Sequence, residues 1–436
     1  MPDFHITTEA EKEQAILVAA EVSGSRPLMS MQDSLTELAL LADTAGIQVV
    51  GQVTQNVKNI NPSTYVGSGK LEEVSEKLLE TGAKVVIFDD ELSPRHQREI
   101  EKRVGLEIKV IDRSALILDI FAQHAQTREG ALQVELAQYQ YRKPRLTRQW
   151  THLARQGGGK GSSSGVGLRG PGETQLEVDQ REIDRKIDKL KRDLEAVRAH
   201  RSRQRTQRAR SGNPIVALVG YTNAGKSTLI NSLTNAATYV ADQLFATLDP
   251  TTRKLDLPSG RQAVITDTVG FIQKLPTALI AAFRATLEEI LEADILLHVV
   301  DLSHPNVIQH IEAVEDTLAE LDISPHVPRV LVWNKSDLWQ GDELPFVPDQ
   351  RYYLEAVVIS AHQKRGMDNL LEAIERALSQ TQRTVTLFVP HARGEVISSI
   401  YKNATVIDRR DDAEGVRLTL KASTALSDYY EEFRVG

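Results

Sequence analysis

Short apolar, β-branched runs alternate with helical stretches over the first 112 residues. Ala15-Ile16-Leu17-Val18, Gln48-Val49-Val50-Gly51, Lys84-Val85-Val86-Ile87-Phe88 and Lys109-Val110-Ile111 read as strands. Helices are predicted between them, starting near Ser34, Lys70 and Pro94. This alternation predicts a small parallel α/β domain over residues 1–112. The period then changes. Leu116, Ile117, Ile120 and Phe121 share one helical face, and the pattern continues towards Leu136. Farther on, Leu176, Ile183, Ile187, Leu190, Leu194 and Val197 follow a step of seven and then alternating steps of four and three, an a/d seam. Two long helices joined by a loop predict an antiparallel helical hairpin over residues 113–212. Apolar strands return at Ile215–Val219, Ala263–Thr266, Val330–Trp333 and Val357–Ala361, with helical stretches among them, and define a domain over 213–380. Residues 381–436 read as a small α+β domain. Its strands are Thr384–Val389, Ala404–Ile407 and Gly415–Leu420. A helix is expected near Glu395–Tyr401, and a turn over Asp408-Arg409-Arg410-Asp411-Asp412. The fold class is thus multidomain α/β.

Composition narrows the chemistry. The 436 residues contain no cysteine, which excludes a disulfide framework, a Cys-ligated zinc site and a thiol nucleophile. Met1-Pro2-Asp3-Phe4-His5 lacks a basic region leading into an apolar one, so no signal peptide is expected. No apolar run approaches the roughly 18 residues a membrane helix needs, and a cytoplasmic location is expected, with no membrane partner. The net charge is −8, yet the hairpin is locally basic. Arg142, Lys143, Arg145, Arg148, Arg155 and Lys160 occur without an intervening acid, as do Arg198, Arg201, Arg203, Arg205, Arg208 and Arg210. Between these stretches, Gly157-Gly158-Gly159-Lys160-Gly161-Ser162-Ser163-Ser164-Gly165 cannot pack a core. Two basic stretches bordering one hairpin in an acidic protein predict polyanion contact, RNA in particular.

The third domain carries the chemistry. Strand Ile215–Val219 runs into Gly220-Tyr221-Thr222-Asn223-Ala224-Gly225-Lys226-Ser227, a full G-x-x-x-x-G-K-[ST] match followed by a helical segment. Glycines let backbone N–H groups converge on phosphates, and the helix N-terminus adds its dipole. Lys226 is expected to reach the β- and γ-phosphates, and Ser227 to ligate Mg²⁺. Asp267-Thr268-Val269-Gly270 follows strand Ala263–Thr266 and reads as D-x-x-G. Asp267 would hold the magnesium shell through water, and the Gly270 N–H would sense the γ-phosphate. Leu244-Phe245-Ala246-Thr247-Leu248-Asp249-Pro250-Thr251 is the expected first switch. Thr247 is the candidate second Mg²⁺ ligand, with Thr251 and Thr252 as alternatives. Asn334-Lys335-Ser336-Asp337 is N-K-x-D. Its aspartate can accept from guanine N1–H and N2–H₂, which adenine lacks. Ser360-Ala361-His362 ends the last strand as the loop facing guanine O6. The candidate catalytic residues are Lys226, Thr247 and Gly270. Signalling GTPases place a water-orienting Gln directly after D-x-x-G. Here that position is Phe271, which cannot polarise water, and Gln273 is out of register. Slow intrinsic hydrolysis is expected.

With these runs, the sequence resembles the HflX family of ribosome-associated GTPases, from about Leu28 to Leu378. The resemblance rests on Thr64-Tyr65-Val66-Gly67-Ser68-Gly69-Lys70, Val110-Ile111-Asp112-Arg113, Leu118-Asp119-Ile120-Phe121-Ala122, Gln133-Val134-Glu135-Leu136-Ala137 and Gly167-Leu168-Arg169-Gly170-Pro171-Gly172-Glu173-Thr174. The phosphate loop and Phe245-Ala246-Thr247-Leu248-Asp249-Pro250-Thr251 complete it. It implies the four-part layout above and a GTPase that binds the large (50S) ribosomal subunit and its rRNA. It further implies a role in splitting stalled ribosomes, with the hairpin tip reaching towards the peptidyl-transferase centre. A monomer is expected. Asn223 also looks like the K⁺-coordinating asparagine of potassium-activated GTPases; the alternative is that it braces the loop by hydrogen bonding. Two other functions fit less well. A tRNA-modifying GTPase would carry a catalytic Cys or a cofactor motif, and the chain has neither. An assembly or RNA-remodelling factor with ATP on the N-terminal domain has Gly67-Ser68-Gly69-Lys70 as its only support, and that run reads more simply as a turn before a helix.

Overall fold

The computed structural model describes residues 12–25, 27–146, 171–211, 213–234, 244–245, 248–275, 290–321, 323, 327–347, 352–422 and 424–435. The chain forms two compact units. The first comprises Met1–Ala125, Ala131–Lys191 and Lys274–Ala282; the second comprises Gln126–Gly130, Arg192–Gln273 and Phe283–Gly436.

In the first unit, strands β1 (Gln14–Val22), β2 (Gln48–Val57), β3 (Val85–Phe88) and β4 (Lys109–Asp112) form a sheet of order β2-β1-β3-β4. All its pairings are parallel. Helices α1 (Met31–Thr44), α2 (Ser68–Thr81) and α3 (Pro94–Val104) connect them. Every residue of β3 is buried, as expected for a central strand covered on both faces. Gly67 is the N-cap of α2, and its N–H donates to Gln55 Oε1 at 2.9 Å. Lys70 Nζ is paired with Glu73 Oε2 at 2.7 Å. This run therefore opens a helix, with its lysine committed to a neighbour on the same helix.

Beneath α1 lies a buried charge cluster. Arg113, 1% exposed, donates to Asp89 Oδ1 at 2.7 Å, to Ser34 O at 3.0 Å and to Glu37. Lys274 Nζ approaches Asp89 Oδ2 at 2.5 Å and Asp90 Oδ1 at 2.6 Å. Burial alone would raise the Asp89 carboxyl, but Arg113 and Lys274 beside it hold it below its usual range. Removing one member of such a cluster strands the others in a poor solvent. Arg113→Met should destabilise the first unit by about 3–5 kcal/mol, read as faster amide exchange in β1 and β3. Because the Asp89 pKa is depressed, its stabilisation is present above its unfolded value of about 4 and disappears as pH falls through the folded value.

The hairpin departs from expectation in its first arm. One helix was expected from Leu116 towards Leu136, but α4 (Arg113–His124) stops and α5 (Arg128–Leu146) starts anew. Thr127 causes the break. Its hydroxyl accepts from Gly130 N at 3.0 Å, and the Asp249 carboxylate accepts from Gln126 N at 2.8 Å and Thr127 N at 2.7 Å. These bonds satisfy N–H groups at the new helix start. The second arm, α6 (Pro171–Ser211), buries Ile187, Leu190 and Leu194 of the expected seam. Lys143 pairs with Asp184, and Lys186 lies 5.5 Å from the Tyr139 ring centre. The partner positions run in opposite directions along α5 and α6, so the two arms are antiparallel. The Gly/Ser tip with Arg148, Arg155 and Lys160 lies outside the described residues, as do the side chains of Arg198, Arg201, Arg203, Arg205, Arg208 and Arg210.

The second unit contains a six-stranded sheet of order β10-β9-β8-β5-β7-β6. Its strands are β5 (Ile215–Val219), β6 (Thr251–Asp256), β7 (Gln262–Asp267), β8 (Ile295–Asp301), β9 (Arg329–Asn334) and β10 (Tyr353–Val358). Only β6 runs antiparallel to its neighbour. Helices α7 (Lys226–Thr234), α8 (Val307–Glu320) and α9 (Met367–Thr381) flank it. Strand β5 is central, with β7 on one side and β8 on the other, so the loop after β5 opens at a topological switch point.

Residues 383–433 add β11 (Arg383–Pro390), α10 (Gly394–Asn403), β12 (Thr405–Asp411), β13 (Gly415–Ala422) and α11 (Thr424–Tyr429), with an antiparallel sheet of order β11-β13-β12. The expected turn at Asp408–Asp412 is a correction: β12 extends through Asp411, with a bulge between Val406 and Asp408. The charges that suggested a turn pair along one edge strand, Arg409 with Asp411 at 2.7 Å and Arg410 with Asp408 at 3.1 Å. A charged edge strand resists pairing with a second chain.

Candidate functional site

The phosphate loop begins where buried strand β5 meets Gly220, at φ +155°. A side chain there would lie 2.2 Å from Val299 O, so glycine is obligatory. Gly225, at φ +90°, is equally constrained, because a Cβ would meet Asn334 Nδ2 at 2.3 Å. That amide spans two motifs. Asn334 Nδ2 donates to Ala224 O at 2.9 Å, and its Oδ1 accepts from Ala361 N at 3.0 Å. The asparagine of N-K-x-D therefore ties the phosphate loop to the loop carrying Ser360, Ala361 and His362.

Lys226 opens α7 and is 6% exposed. Its Nζ donates to Gly220 O at 3.0 Å and Tyr221 O at 2.8 Å. Burial pushes its ammonium down to about 8, against the opposing pull of Asp267. Two phosphate groups beside it would reverse that cost. Ser227 Oγ donates to Asp267 Oδ2 at 2.7 Å, and Asp267 is 2% exposed. A hydroxyl and a buried carboxylate in contact offer the oxygen donors that Mg²⁺ prefers, so these residues fit the ion.

Asp267-Thr268-Val269-Gly270 folds directly onto the phosphate loop. Thr268 Oγ1 donates to Leu218 O at 2.6 Å, Thr222 N to Phe271 O at 2.7 Å and Phe271 N to Gly220 O at 3.1 Å. An ideal Cβ on Gly270 would lie 2.9 Å from Thr222 Cα and 3.1 Å from Lys226 Nζ. Phe271 is buried.

At the base end, Lys335 takes a left-handed φ of +60°, and its Nζ pairs with Asp301 Oδ2 at 2.8 Å. Ser336 N donates to Ile359 O at 3.1 Å, and Gln363 N to Ser360 Oγ at 3.1 Å. A hydrogen bond from Ser360 holds the Asp337 carboxyl below its usual range. Asp337 Oδ1 is buried without a hydrogen-bond partner among the described residues. Such an acceptor suits a ligand that brings its own N–H groups. His362 is exposed.

The first switch is placed only in part. Phe245 (φ +59°) and Leu248 are buried, while Ala246 and the expected metal ligand Thr247 lie outside the described residues. The Asp249 side chain, expected at the nucleotide, is engaged with Gln126 and Thr127 instead. Asn223 takes φ +59°, which Asn tolerates well, and is exposed. Its side chain makes no hydrogen bond among the described residues.

Two participants escaped the sequence reading. Asp301 positions Lys335 from the end of β8. His310 of α8 stacks on Tyr221, with ring centres 3.8 Å apart and planes 4° from parallel. Tyr221 Oη in turn accepts from Gln273 N at 2.9 Å. Neither has a motif; only the switch-point topology brings α8 beside the phosphate loop.

Comparison with known proteins agrees with this geometry. Residues 32–122 match a family model described as GTP-binding GTPase N-terminal, and 124–208 one described as GTP-binding GTPase Middle Region. Residues 215–335 match 50S ribosome-binding GTPase, and 351–433 match HflX C-terminal domain. The family resemblance therefore reaches well beyond Leu378, where the sequence reading ended it. A GTPase HflX from Caldanaerobacter subterraneus subsp. tengcongensis is 44% identical over 426 residues, covering 98% of this chain and 95% of that one. One from Alkalihalophilus pseudofirmus is 46% identical over 92% of this chain and 91% of its own. One from Escherichia coli (strain K12) is 44% identical over 89% of this chain and 88% of its own. With the phosphate loop, D-x-x-G and N-K-x-D elements assembled around one site, the chain belongs to the HflX family and is a GTP-hydrolysing enzyme.

Proposed function

We propose that the chain is a Mg²⁺-dependent GTPase that works on the large ribosomal subunit, in splitting or recycling ribosomes or in translation under stress. Lys226 would neutralise the β- and γ-phosphates, with Ser227 and Thr247 on the metal and Asp267 behind it. The metal would supply charge neutralisation at the phosphates. Gly270 N–H would meet the γ-phosphate, and Asp337 would read guanine. The observation that carries the ribosomal part is the match of residues 215–335 to a family described as 50S ribosome-binding GTPases. The arginine-rich end of α6 adds to it, since rRNA binding needs such a local field. No helix of the described residues is long and apolar enough to cross a membrane.

The arginines give a direct test. Replacing Arg198, Arg201, Arg203 and Arg205 with Gln should weaken co-sedimentation with purified large subunits. It should also reduce the slope of log affinity against log salt by about three to four. Binding unchanged at both low and moderate salt would show that this helix face touches no phosphate.

Phe271 leaves hydrolysis without a water-orienting glutamine, and a monovalent cation is one source of help. The exposed position of Asn223 in the phosphate loop supports a K⁺ held between its carboxamide and the phosphates. Turnover should then be faster in KCl than in NaCl at equal ionic strength, and Asn223→Ala should abolish the difference. Equal rates in the two salts would eliminate the ion.

A further inference from the structure

The chain just after D-x-x-G is fastened to the phosphate loop by backbone and side chain together. Thr222 N donates to Phe271 O at 2.7 Å, and Phe271 N to Gly220 O at 3.1 Å. These main-chain bonds need no particular side chain at position 221. A further bond does: Tyr221 Oη accepts from Gln273 N at 2.9 Å. It requires an oxygen at the end of a long side chain, kept in one place.

His310 of α8 keeps it there. Its ring and that of Tyr221 are both buried and lie face to face, with centres 3.8 Å apart and planes 4° from parallel. His304 lies against His310 in turn, ring centres 4.2 Å apart, and its Nδ1 accepts from Asn306 N at 3.1 Å. A phenol packed against a ring from a neighbouring helix cannot swing to that side without losing the contact. Tyr221 also acts from its main chain, where its carbonyl accepts from Lys226 Nζ at 2.8 Å. One residue thus bonds the phosphate-loop lysine at one end and Gln273 at the other. Gly270, three residues before Gln273, packs against both loop and lysine: its ideal Cβ position is 2.9 Å from Thr222 Cα and 3.1 Å from Lys226 Nζ. Freeing residues 271–273 would therefore loosen Gly270 relative to Lys226.

We propose that Tyr221 and His310 are positioning residues for hydrolysis: the stacked phenol oxygen anchors the chain at Gln273 and so fixes the Gly270 N–H where the γ-phosphate arrives. Neither ring takes part in a bond-making step. The proposal rests on GTP being hydrolysed at this site with Gly270 as the γ-phosphate sensor.

The test is single-turnover hydrolysis by the full chain, with GDP affinity and hydrogen exchange at the Gln273 amide measured beside it. Tyr221→Phe keeps the stacked ring and removes one oxygen. It should slow hydrolysis roughly 3–10-fold, the scale of one neutral hydrogen bond, and speed exchange at Gln273. GDP, which lacks the γ-phosphate, should bind within about twofold of wild type. His310→Ala removes the stack and should give the same pattern, whereas His310→Phe supplies a ring and should recover most of the rate. Because His310 acts through the Tyr221 oxygen, the double variant Tyr221→Phe, His310→Ala should be no slower than the slower single variant. Tyr221→Phe loses no ring volume, so it reads the proposal even where His310→Ala folds poorly. Wild-type hydrolysis by Tyr221→Phe overturns the proposal. So does faster hydrolysis, which would mean that the contact holds the segment back. A loss of GDP affinity matching the loss of rate overturns it too, by assigning Tyr221 to the shape of the loop, and additive losses in the double variant separate His310 from Tyr221. A wild-type chain that hydrolyses no GTP would instead overturn the underlying site.

Discussion

Replacing Asp337 with Asn should cost this chain about 3–6 kcal/mol of GTP binding, a roughly 10²–10⁴-fold rise in Kd. The estimate takes two charge-assisted hydrogen bonds, from guanine N1–H and N2–H₂, to one carboxylate. The structure favours a large value because Asp337 Oδ1 is buried without a partner among the described residues, leaving it to a ligand's N–H. Asn can still accept one N–H but presents an NH₂ where guanine also presents one. Xanthine carries a carbonyl at that position. The variant should therefore bind xanthosine triphosphate better than GTP. A direct titration showing unchanged GTP affinity would remove Asp337 from the base site.

Gly270→Ala should separate binding from chemistry. The backbone at Gly270 does not demand glycine by its φ, so the contact decides. The added methyl would sit 2.9 Å from Thr222 Cα and 3.1 Å from Lys226 Nζ, and the loop backbone cannot yield as a flexible chain end could. The D-x-x-G segment must move away, taking with it the N–H proposed to meet the γ-phosphate. Loss of such a donor should lower kcat roughly 10²–10³-fold, while GDP, which lacks that phosphate, should bind within a fewfold of wild type. A variant with near-normal kcat would place the γ-phosphate sensor elsewhere.

Much of this site was readable in the chain because its chemistry is local. Gly220 and Gly225 are demanded by positive φ and by backbone or amide groups 2.2–2.3 Å from a would-be Cβ, and such constraints leave a fixed spacing. Strand patterns were equally legible where burial on both faces forces continuous apolar runs, as at Val85–Phe88 and Ile215–Val219. The failures have one physical source. Helix period alone does not show the break at Ala125–Thr127, because the cap that makes it draws on Asp249, more than 120 residues away. Asp408–Asp411 reads as a turn by composition, yet its charges pair along an edge strand. Asp301 and His310 reach the site only through tertiary packing, and no spacing rule announces them.

The measurement that bears most directly on the proposed function is sedimentation of the purified chain with large ribosomal subunits, in three states: a non-hydrolysable GTP analogue, GDP and no nucleotide. Clear co-pelleting is expected with the analogue, and markedly less with GDP or without nucleotide. Equal pelleting in all three states, or none in any, would contradict it.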